Sequence, residues 1–346
     1  MTPTTIILTS LLAFQIPTAQ ADSIEVSLEF KSSVRALEVV DENTIIFSGY
    51  GGLIGVSKDA GESWDTTRVE FEGMNPAFRA CASYQGQMFI ASIESPGLIF
   101  KISMDDLSRK QLIYKNNKPN VFLDAMAFND NGVGIVLGDP KGKCLTIIRK
   151  HDDESKWEEI QCKNIPSVKK GEAAFAASNG NISIVGDNVW IASGGGASRV
   201  FHSSDEGKTW DVYDTPMKQG GQMTGAFAIS FKDEKTGLLI GGDWDDKDNN
   251  YGNLCITRDG GKSWWLISEG EGPGYRSSII WSPTNENTCV AIGSEGIDIS
   301  YNEGQTWENL SMKGYYTGRF SPDGQTIWLA GHGEIGKLVL NEGEAR

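Results

Sequence analysis

The chain has 346 residues, among them 41 glycines and 10 tryptophans, and its formal net charge is -15 at pH 7. This negative charge argues against a nucleic-acid partner, because the phosphate backbone would be repelled. Many glycines and large aromatic residues, with few long apolar runs, favour short strands joined by tight turns. We therefore expect an all-β fold.

The N-terminus resembles an export signal. Residues 6–16 are apolar, and Ala19-Gln20-Ala21 matches a signal-peptidase site, although no Lys or Arg precedes the apolar stretch. We expect residues 1–21 to be a signal peptide and residues 22–346 to form one periplasmic or secreted domain, which N-terminal sequencing of the native protein would test. No later segment has the roughly 20 apolar residues of a membrane-spanning helix, so the domain is not expected to span a membrane.

The five cysteines are too scattered for a metal site, and we expect neither a metal nor another cofactor. Cys144 and Cys162 flank a segment with a polar turn at its centre, so a hairpin would place them opposite one another. A disulfide and two half-buried thiols are both compatible with this spacing.

One motif, S/T-x-D-x-G-x-S/T-W, occurs four times, with Asn in place of Asp in the last copy. It is the Asp box, a hairpin in which the Asp side chain accepts backbone N–H bonds, Gly takes a positive φ and Trp packs under the turn. We interpret the motif as structural. Its key residues are Asp59, Gly61, Trp64, Asp205, Gly207, Trp210, Asp259, Gly261, Trp264, Asn302, Gly304 and Trp307.

A longer repeat of apolar segments and turns predicts a seven-bladed β-propeller with four-stranded blades. The last unit has only three predicted strands, and residues 24–30 alternate as a strand that can supply the fourth and close the ring. The repeats begin near Ser33, Ala77, Val121, Gly171, Thr224, Gly274 and Tyr316.

In such a fold, the starts of the first strands and the turns between second and third strands share one face. We expect the ionisable and aromatic residues there to form a mouth that binds a ligand or a partner. An internal network of arginines and carboxylates that closes the channel is an equally good interpretation. The residues concerned are Arg35, Arg79, Asp124, Glu172, Asp243, Trp244, Arg276, Glu295, Arg319 and His332.

The sequence resembles a bacterial propeller family related to the photosystem II stability and assembly factors. The segments that carry this resemblance are residues 33–40, 122–140, 171–179, 241–244, 274–278 and 331–338. The resemblance implies an arginine-rich face that engages a client protein. The matching positions are Arg35, Arg79, Arg276 and Arg319, whereas Leu123, Ala173 and Ala226 stand near these positions in the third to fifth units.

We therefore expect a monomeric binding or assembly protein without catalytic residues, whose partner is a protein client or a small carboxylate or sugar ligand. The alternative is a sialidase-like or other glycoside hydrolase. That alternative would require an arginine cluster, a Tyr-Glu pair as the nucleophile and an Asp that acts as the general acid. The F/Y-R-I-P signature of sialidases is absent, and Phe78-Arg79-Ala80-Cys81 is its nearest approach. A purely structural surface protein is a third interpretation.

Overall fold

The computed structural model describes residues 24–151 and 156–340. The expected signal peptide and the polar turn at residues 152–155 lie outside the described residues. Within them, the chain forms strands and two single-turn 3-10 helices, Tyr50–Gly52 and Cys162–Asn164. None of the helices in this part of the chain has the length and apolar character needed to cross a bilayer.

The strands are short and follow one another along the whole described chain. In order they are β1 (Glu25–Val39), β2 (Ile45–Gly49), β3 (Leu53–Ser57), β4 (Asp65–Arg68), β5 (Phe78–Tyr84), β6 (Gln87–Ser92), β7 (Gly97–Ser103), β8 (Asp106–Asn116), β9 (Leu123–Phe128), β10 (Gly134–Lys141), β11 (Cys144–Lys150), β12 (Glu158–Glu159), β13 (Glu172–Ala173), β14 (Ile182–Val185) and β15 (Asn188–Ala192). They continue with β16 (Gly194–Gly195), β17 (Arg199–Ser203), β18 (Asp211–Asp214), β19 (Thr224–Phe231), β20 (Gly237–Asp243), β21 (Leu254–Thr257), β22 (Trp265–Leu266), β23 (Ser278–Trp281), β24 (Cys289–Gly293), β25 (Gly296–Ser300), β26 (Glu308–Ser311), β27 (Thr317–Phe320), β28 (Thr326–Ala330) and β29 (His332–Val339).

The described strands form six hydrogen-bonded sheets. Four sheets have four strands each: β5–β8, β9–β12, β23–β26, and a sheet in the order β14-β15-β17-β18. A six-stranded sheet has the order β13-β16-β19-β20-β21-β22, and a seven-stranded sheet has the order β27-β28-β29-β1-β2-β3-β4. The expected all-β fold is confirmed.

Seven strands, termed the central strands, lie side by side. They are β1, β5, β9, β14, β19, β23 and β27, and each contacts the next in this order, with β27 contacting β1. The sheets extend outward from these strands and pack against one another through buried aliphatic side chains. Ile46 and Ile54 of one sheet, for example, pack against Met88 and Ile102 of the next.

Strand β1 is long and pairs with two other strands of the seven-stranded sheet, one along each of its parts. Its first part pairs antiparallel with β29, where Glu25 faces Lys337, and its second part pairs with β2, where Leu37 faces Phe47. The ring of Phe30 stacks on Phe47 with 5.6 Å between centroids. The N-terminal part of β1 therefore covers the edge of β29.

The repeated motif forms the same turn in each of its four copies. In the second copy, Asp205 Oδ1 accepts the N–H of Thr209 at 2.8 Å, and Ser203 Oγ accepts the N–H of Gly207 at 2.8 Å. Gly207 has φ 84°, a conformation that favours glycine. The indole of Trp210 donates to the Gly207 carbonyl at 3.0 Å, which holds the ring under the turn.

Cys144 and Cys162 are joined by a disulfide, with their Cα atoms 5.6 Å apart. The bond ties the start of β11 to the 3-10 helix that follows β12. Cys81, Cys255 and Cys289 are free and buried, and burial raises the pKa of each thiol.

Removing the first part of β1 should destabilise the protein strongly. A chain that begins at Lys31 would expose the edge of β29 and lose the packing of Leu28 and Phe30. The free energy of unfolding should fall by about 3 kcal/mol or more. Chemical denaturation against a chain that begins at Asp22 measures this, and equal stability of the two chains would refute the proposed role of the strand.

Candidate functional site

A cavity lies at each end of the central strands. Arg35 and Arg79 line one cavity of about 370 Å3, termed the mouth cavity. Glu38 and Ser83, which come later in the same two strands, line a second cavity of about 460 Å3, termed the base cavity. Arg35 and Arg79 precede Glu38 and Ser83 in their strands, so the loops that enter the central strands lie at the mouth end. Because neighbouring strands are antiparallel, the turns between second and third strands lie at the same end.

Four central strands carry a β-bulge at the same level, beside the mouth cavity. In β1 the pairing shifts between Val34 and Ala36, so Arg35 is the extra residue. A bulge bends the strand and redirects the extra side chain. The equivalent extra residues are Arg79 in β5, Asp124 in β9 and Phe227 in β19, and alanine follows each of them.

Residues 174–181, termed the crossing segment, pass between the central strands. Ala176 and Ala177 line the mouth cavity, whereas Asn179 and Gly180 line the base cavity. The central strand of the fourth unit therefore begins only at Ile182, later than the repeat predicted. The crossing segment separates the two cavities.

The side chain of Asn179 joins two central strands. Its Oδ1 accepts the N–H of Met126 in β9 at 2.8 Å, and its Nδ2 donates to the carbonyl of Cys81 in β5 at 2.8 Å. The neighbouring Ser178 hydroxyl donates to the carbonyl of Ser277 at 2.5 Å. These bonds satisfy backbone groups on the inner edges of the central strands.

Arg35 and Arg79 lie together at the floor of the mouth cavity. Their Nη1 groups point at consecutive carbonyls of the crossing segment, with Arg35 3.2 Å from Ala177 O and Arg79 3.4 Å from Ala176 O. Arg35 also stacks over the ring of Tyr316 at 3.8 Å, and its buried Nε has no hydrogen-bond partner. Burial lowers the pKa of both groups. Among the described residues, neither arginine forms an ion pair with a carboxylate.

Two acidic side chains lie behind Arg79. Asp124 is 0% exposed, and neither of its carboxyl oxygens has a hydrogen-bond partner. Burial, followed by repulsion from Asp139, raises the pKa of Asp124, and the charge of Arg79 opposes this. Asp139 lines the mouth cavity and accepts the N–H of Ala174 at 3.2 Å, and burial raises its pKa as well. Burial is thus the main cause that raises the pKa of both carboxyl groups above the ordinary range for Asp.

Aromatic side chains form one wall of the mouth cavity. Phe175 stacks on Phe227 at 4.1 Å between centroids, and Tyr275 meets the edge of Phe227 at 4.8 Å. A Cβ on Gly194 would lie 2.4 Å from the ring of Phe175, so glycine is needed there. Trp244 stands at the rim and is 45% exposed.

Two of the predicted site residues lie in internal ion pairs instead. Glu172 is buried and accepts from Arg199 Nη2 at 2.6 Å and from the Ser193 hydroxyl at 2.6 Å. Arg276 is buried and donates to Asp298 Oδ2 through Nε at 2.8 Å. Neither Glu172 nor Arg276 lines the mouth or the base cavity.

The structure separates Arg319 from the other arginines. Strand β27 has no bulge, and Arg319 stays in regular register opposite Trp328. Its side chain lines the base cavity. The repeat alignment had placed it beside Arg35, because spacing alone does not reveal a bulge.

Three predicted residues lie outside the mouth cavity at the same end of the molecule. Asp243 pairs with Lys218 at 2.9 Å, a hydrogen bond that lowers the pKa of the carboxyl. Glu295 pairs with Lys247 at 2.8 Å, which lowers its pKa in the same way. His332 is exposed at the start of β29.

Exposed hydrophobic residues lie around the mouth cavity, and the sequence analysis missed most of them. They occupy the loops that enter central strands or join second to third strands, so all lie at the mouth end. Each is a single large apolar residue among polar or small neighbours, which is the only signal that the sequence offers. They are Tyr50, Met74, Trp244, Tyr251 and Met312.

A tyrosine and a glutamate, the pair that a sialidase-like enzyme would require, are hydrogen-bonded in the structure. The hydroxyl of Tyr315 donates to Glu334, which also pairs with Lys313 at 2.5 Å. Tyr315 is buried, and burial and then this hydrogen bond raise the pKa of its hydroxyl. Neither Tyr315 nor Glu334 lines the mouth or the base cavity, so the pair does not offer a nucleophile to a ligand there.

In residues 24–151 and 156–340, no group of three His, Cys, Asp or Glu side chains is arranged to hold a metal ion. No family model matches the chain, and no curated protein matches it.

Several solved structures share the architecture. YCF48 bound to D1 peptide has a TM-score of 0.67 and 14% identity, over 95% of this chain and 100% of that chain. YCF48 from Cyanidioschyzon merolae has a TM-score of 0.65 and 13% identity, over 92% and 99%. The WD40 β-propeller domain of Doa1 has a TM-score of 0.61 and 12% identity, over 92% and 97%.

The chain has a β-propeller fold. At these identities the similarity establishes the architecture alone. The likeness to photosystem II assembly factors that the sequence predicted is thereby confirmed at the level of the fold.

Replacing Asp124 by Asn should alter the pH dependence of stability. Because the pKa of Asp124 is raised in the folded protein, folding favours the protonated side chain. The stability that the protonated side chain contributes is present below the ordinary pKa range of Asp and is lost as pH rises through the raised pKa. D124N should therefore gain stability over wild type as pH increases from about 4 to about 8. Unfolding free energies across this range test it, with exposed Asp130→Asn as control, and a difference independent of pH would contradict it.

Proposed function

We propose that the protein is a client-binding propeller whose mouth cavity receives a carboxylate group of a protein partner. The observation that carries the proposal is the pair Arg35 and Arg79, two guanidinium groups in one cavity without an ion-pair partner among the described residues. In a chain of net charge -15, two such groups side by side are unusual. A guanidinium recognises a carboxylate through two parallel hydrogen bonds.

The other buried arginines support this assignment by contrast. Arg199 is paired with Glu172 at 2.6 Å, and Arg276 is paired with Asp298 at 2.7 Å. Both pairs are buried, and in each of them the opposite charge offsets the hydration that the arginine loses. Arg35 and Arg79 reach only carbonyl oxygens, so within the described residues neither guanidinium group is paired directly with a carboxylate.

The surface around the mouth favours a protein partner over a small ligand. Aromatic residues, methionine and arginine are enriched in protein interfaces, and Tyr50, Met74, Trp244 and Met312 stand exposed at this end. The structure of YCF48 with the D1 peptide shows that a propeller of this architecture is found with a peptide bound. A partner that contacts the rim and inserts an acidic side chain or a terminal carboxylate would use both features.

We further propose that residues 22–346 form one ring of seven four-stranded blades. Support comes from the order of contacts among the seven central strands, in which β27 returns to β1. The pairing of β1 with β29 would give the last blade its fourth strand. Seven converging strands would also explain why arginines distant in sequence share one cavity.

The test uses peptides selected on the folded protein. A random peptide library is panned on wild type, enriched peptides are synthesised, and their dissociation constants are measured by isothermal titration calorimetry. Enriched peptides should carry Asp, Glu or a free C-terminal carboxylate. R35Q/R79Q should weaken their binding at least about tenfold, since a hydrogen bond to a charged group contributes about 1.5 to 3 kcal/mol.

The matched control is Arg109→Gln, which changes an arginine that is 76% exposed. It should leave peptide binding unchanged. Melting temperatures of all variants accompany the titrations. The proposal fails if R35Q/R79Q loses stability but binds the selected peptides as wild type does, or if no peptide is enriched.

A further inference from the structure

The base cavity is a second compartment with a chemistry of its own. Its volume of about 460 Å3 lies within the range of about 300 to 1,000 Å3 that ligand pockets occupy. The crossing segment closes it toward the mouth, and the exposed residues Pro283 and Pro322 mark its opening to solvent. A molecule bound there would not contact Arg35 or Arg79.

One wall of the base cavity carries two opposite charges that are not joined. Glu38 in β1 and Arg319 in the neighbouring strand β27 both line the cavity, and no ion pair links them in the described part of the chain. Oε1 of Glu38 accepts from the N–H of Ser83 at 3.1 Å and from its hydroxyl. Nη1 of Arg319 donates to the carbonyl of Gly318 at 2.8 Å.

Each charge therefore keeps free bonding capacity. Oε2 of Glu38, and Nε and Nη2 of Arg319, have no hydrogen bond to a described residue. Burial raises the pKa of Glu38 and lowers that of Arg319, so both groups are placed where their charged forms are poorly solvated. Two half-buried charges of opposite sign are best stabilised by a group that contacts both.

The lining that β14, β19 and β23 contribute is largely apolar, with Ser183 and Ser230 as its polar members. Ile182, Ile229 and Ile280, from these three central strands, belong to it together with the rings of Phe231 and Trp281. The cavity thus combines an acid and a guanidinium with a hydrophobic surface.

We infer that the base cavity binds a small zwitterion with an apolar body, namely a hydrophobic α-amino acid. Its carboxylate pairs with Arg319, its ammonium group pairs with Glu38, and its side chain packs against the isoleucines. The guanidinium suits a carboxylate through forked hydrogen bonds, and the carboxylate of Glu38 suits an ammonium donor.

Other ligand classes fit this cavity less well. A phosphate would meet Glu38, which repels it, beside a single arginine. A sugar would need free hydroxyl or amide groups, but Ser83 is bonded to Glu38, both polar atoms of Asn179 are in use, and Ser321 donates to Asp323 at 2.5 Å. Apart from the hydroxyl groups of Ser183, which accepts the N–H of Phe231 at 2.9 Å, and Ser230, the free side-chain polar groups that line the cavity are charged and of both signs.

Calorimetry with L-leucine and L-phenylalanine on the full chain tests the inference. Wild type should bind at least one of them saturably. L-leucinamide lacks the carboxylate and 4-methylpentanoate lacks the ammonium group, so each should bind at least tenfold more weakly than L-leucine. Because these analogues probe the wild-type protein, this comparison does not depend on the folding of any variant.

Two variants assign the contacts. E38Q should weaken the binding of L-leucine but leave the binding of 4-methylpentanoate unchanged. R319Q should weaken the binding of L-leucine but leave the binding of L-leucinamide unchanged. Arg109→Gln, which changes an arginine that is 76% exposed, is the matched control and should bind L-leucine as wild type does. The inference is overturned if wild type binds neither amino acid, if both analogues bind as tightly as L-leucine, or if R109Q abolishes binding in a folded protein.

Discussion

The bridging of two central strands by Asn179 is the interaction on which the rest of the site depends. Central strands of a propeller have one edge without a neighbouring strand, and their N–H and C=O groups there need water or a side chain. Asn179 supplies both partners, to Met126 and to Cys81. It thereby fixes the crossing segment across the channel, which creates two cavities instead of one pore.

The crossing segment also determines which arginines can bind a ligand. Because the carbonyls of Ala176 and Ala177 face Arg35 and Arg79, they hold the two guanidinium groups in place without neutralising them. Asp124 does not take this role, because its carboxyl oxygens form no hydrogen bond with either guanidinium group. Elsewhere in the described structure, the buried arginines Arg199 and Arg276 have carboxylate partners. The two arginines that are paired with buried carboxylates therefore lie outside both cavities.

Local features of the sequence predicted more than long-range ones. The four turn motifs follow from contacts within a few residues, as in Asp205 with Thr209. The all-β fold was predicted from the frequent glycines and turns that separate short strands. The mouth was predicted only in part, because a repeat alignment does not show where a strand bulges, and a shift of one residue turns a side chain to the other face. Arg35 and Arg79 precede alanine and occupy bulges, whereas Arg319 precedes Phe320 and lies in a regular strand.

The crossing segment could not be predicted, because its small residues have neither a helical nor a strand period. Residues 174–181 read Ala-Phe-Ala-Ala-Ser-Asn-Gly-Asn, and their conformation is set by partners far away in sequence. Glu172 was placed in the mouth for this reason, since the fourth unit was assumed to begin its central strand there. The structure instead pairs β13 with β16 and uses Glu172 to hold Arg199.

Amide hydrogen exchange at Met126 tests the central claim most directly. Its N–H lies on the inner edge of β9 and is bonded to Asn179, so the account predicts slow exchange in wild type, comparable to core amides. In Asn179→Gly, which preserves the positive φ of this position, exchange at Met126 should become much faster. Exchange in wild type as fast as at the exposed turn residue Glu42 would contradict the account, because the channel would then be open to water along β9.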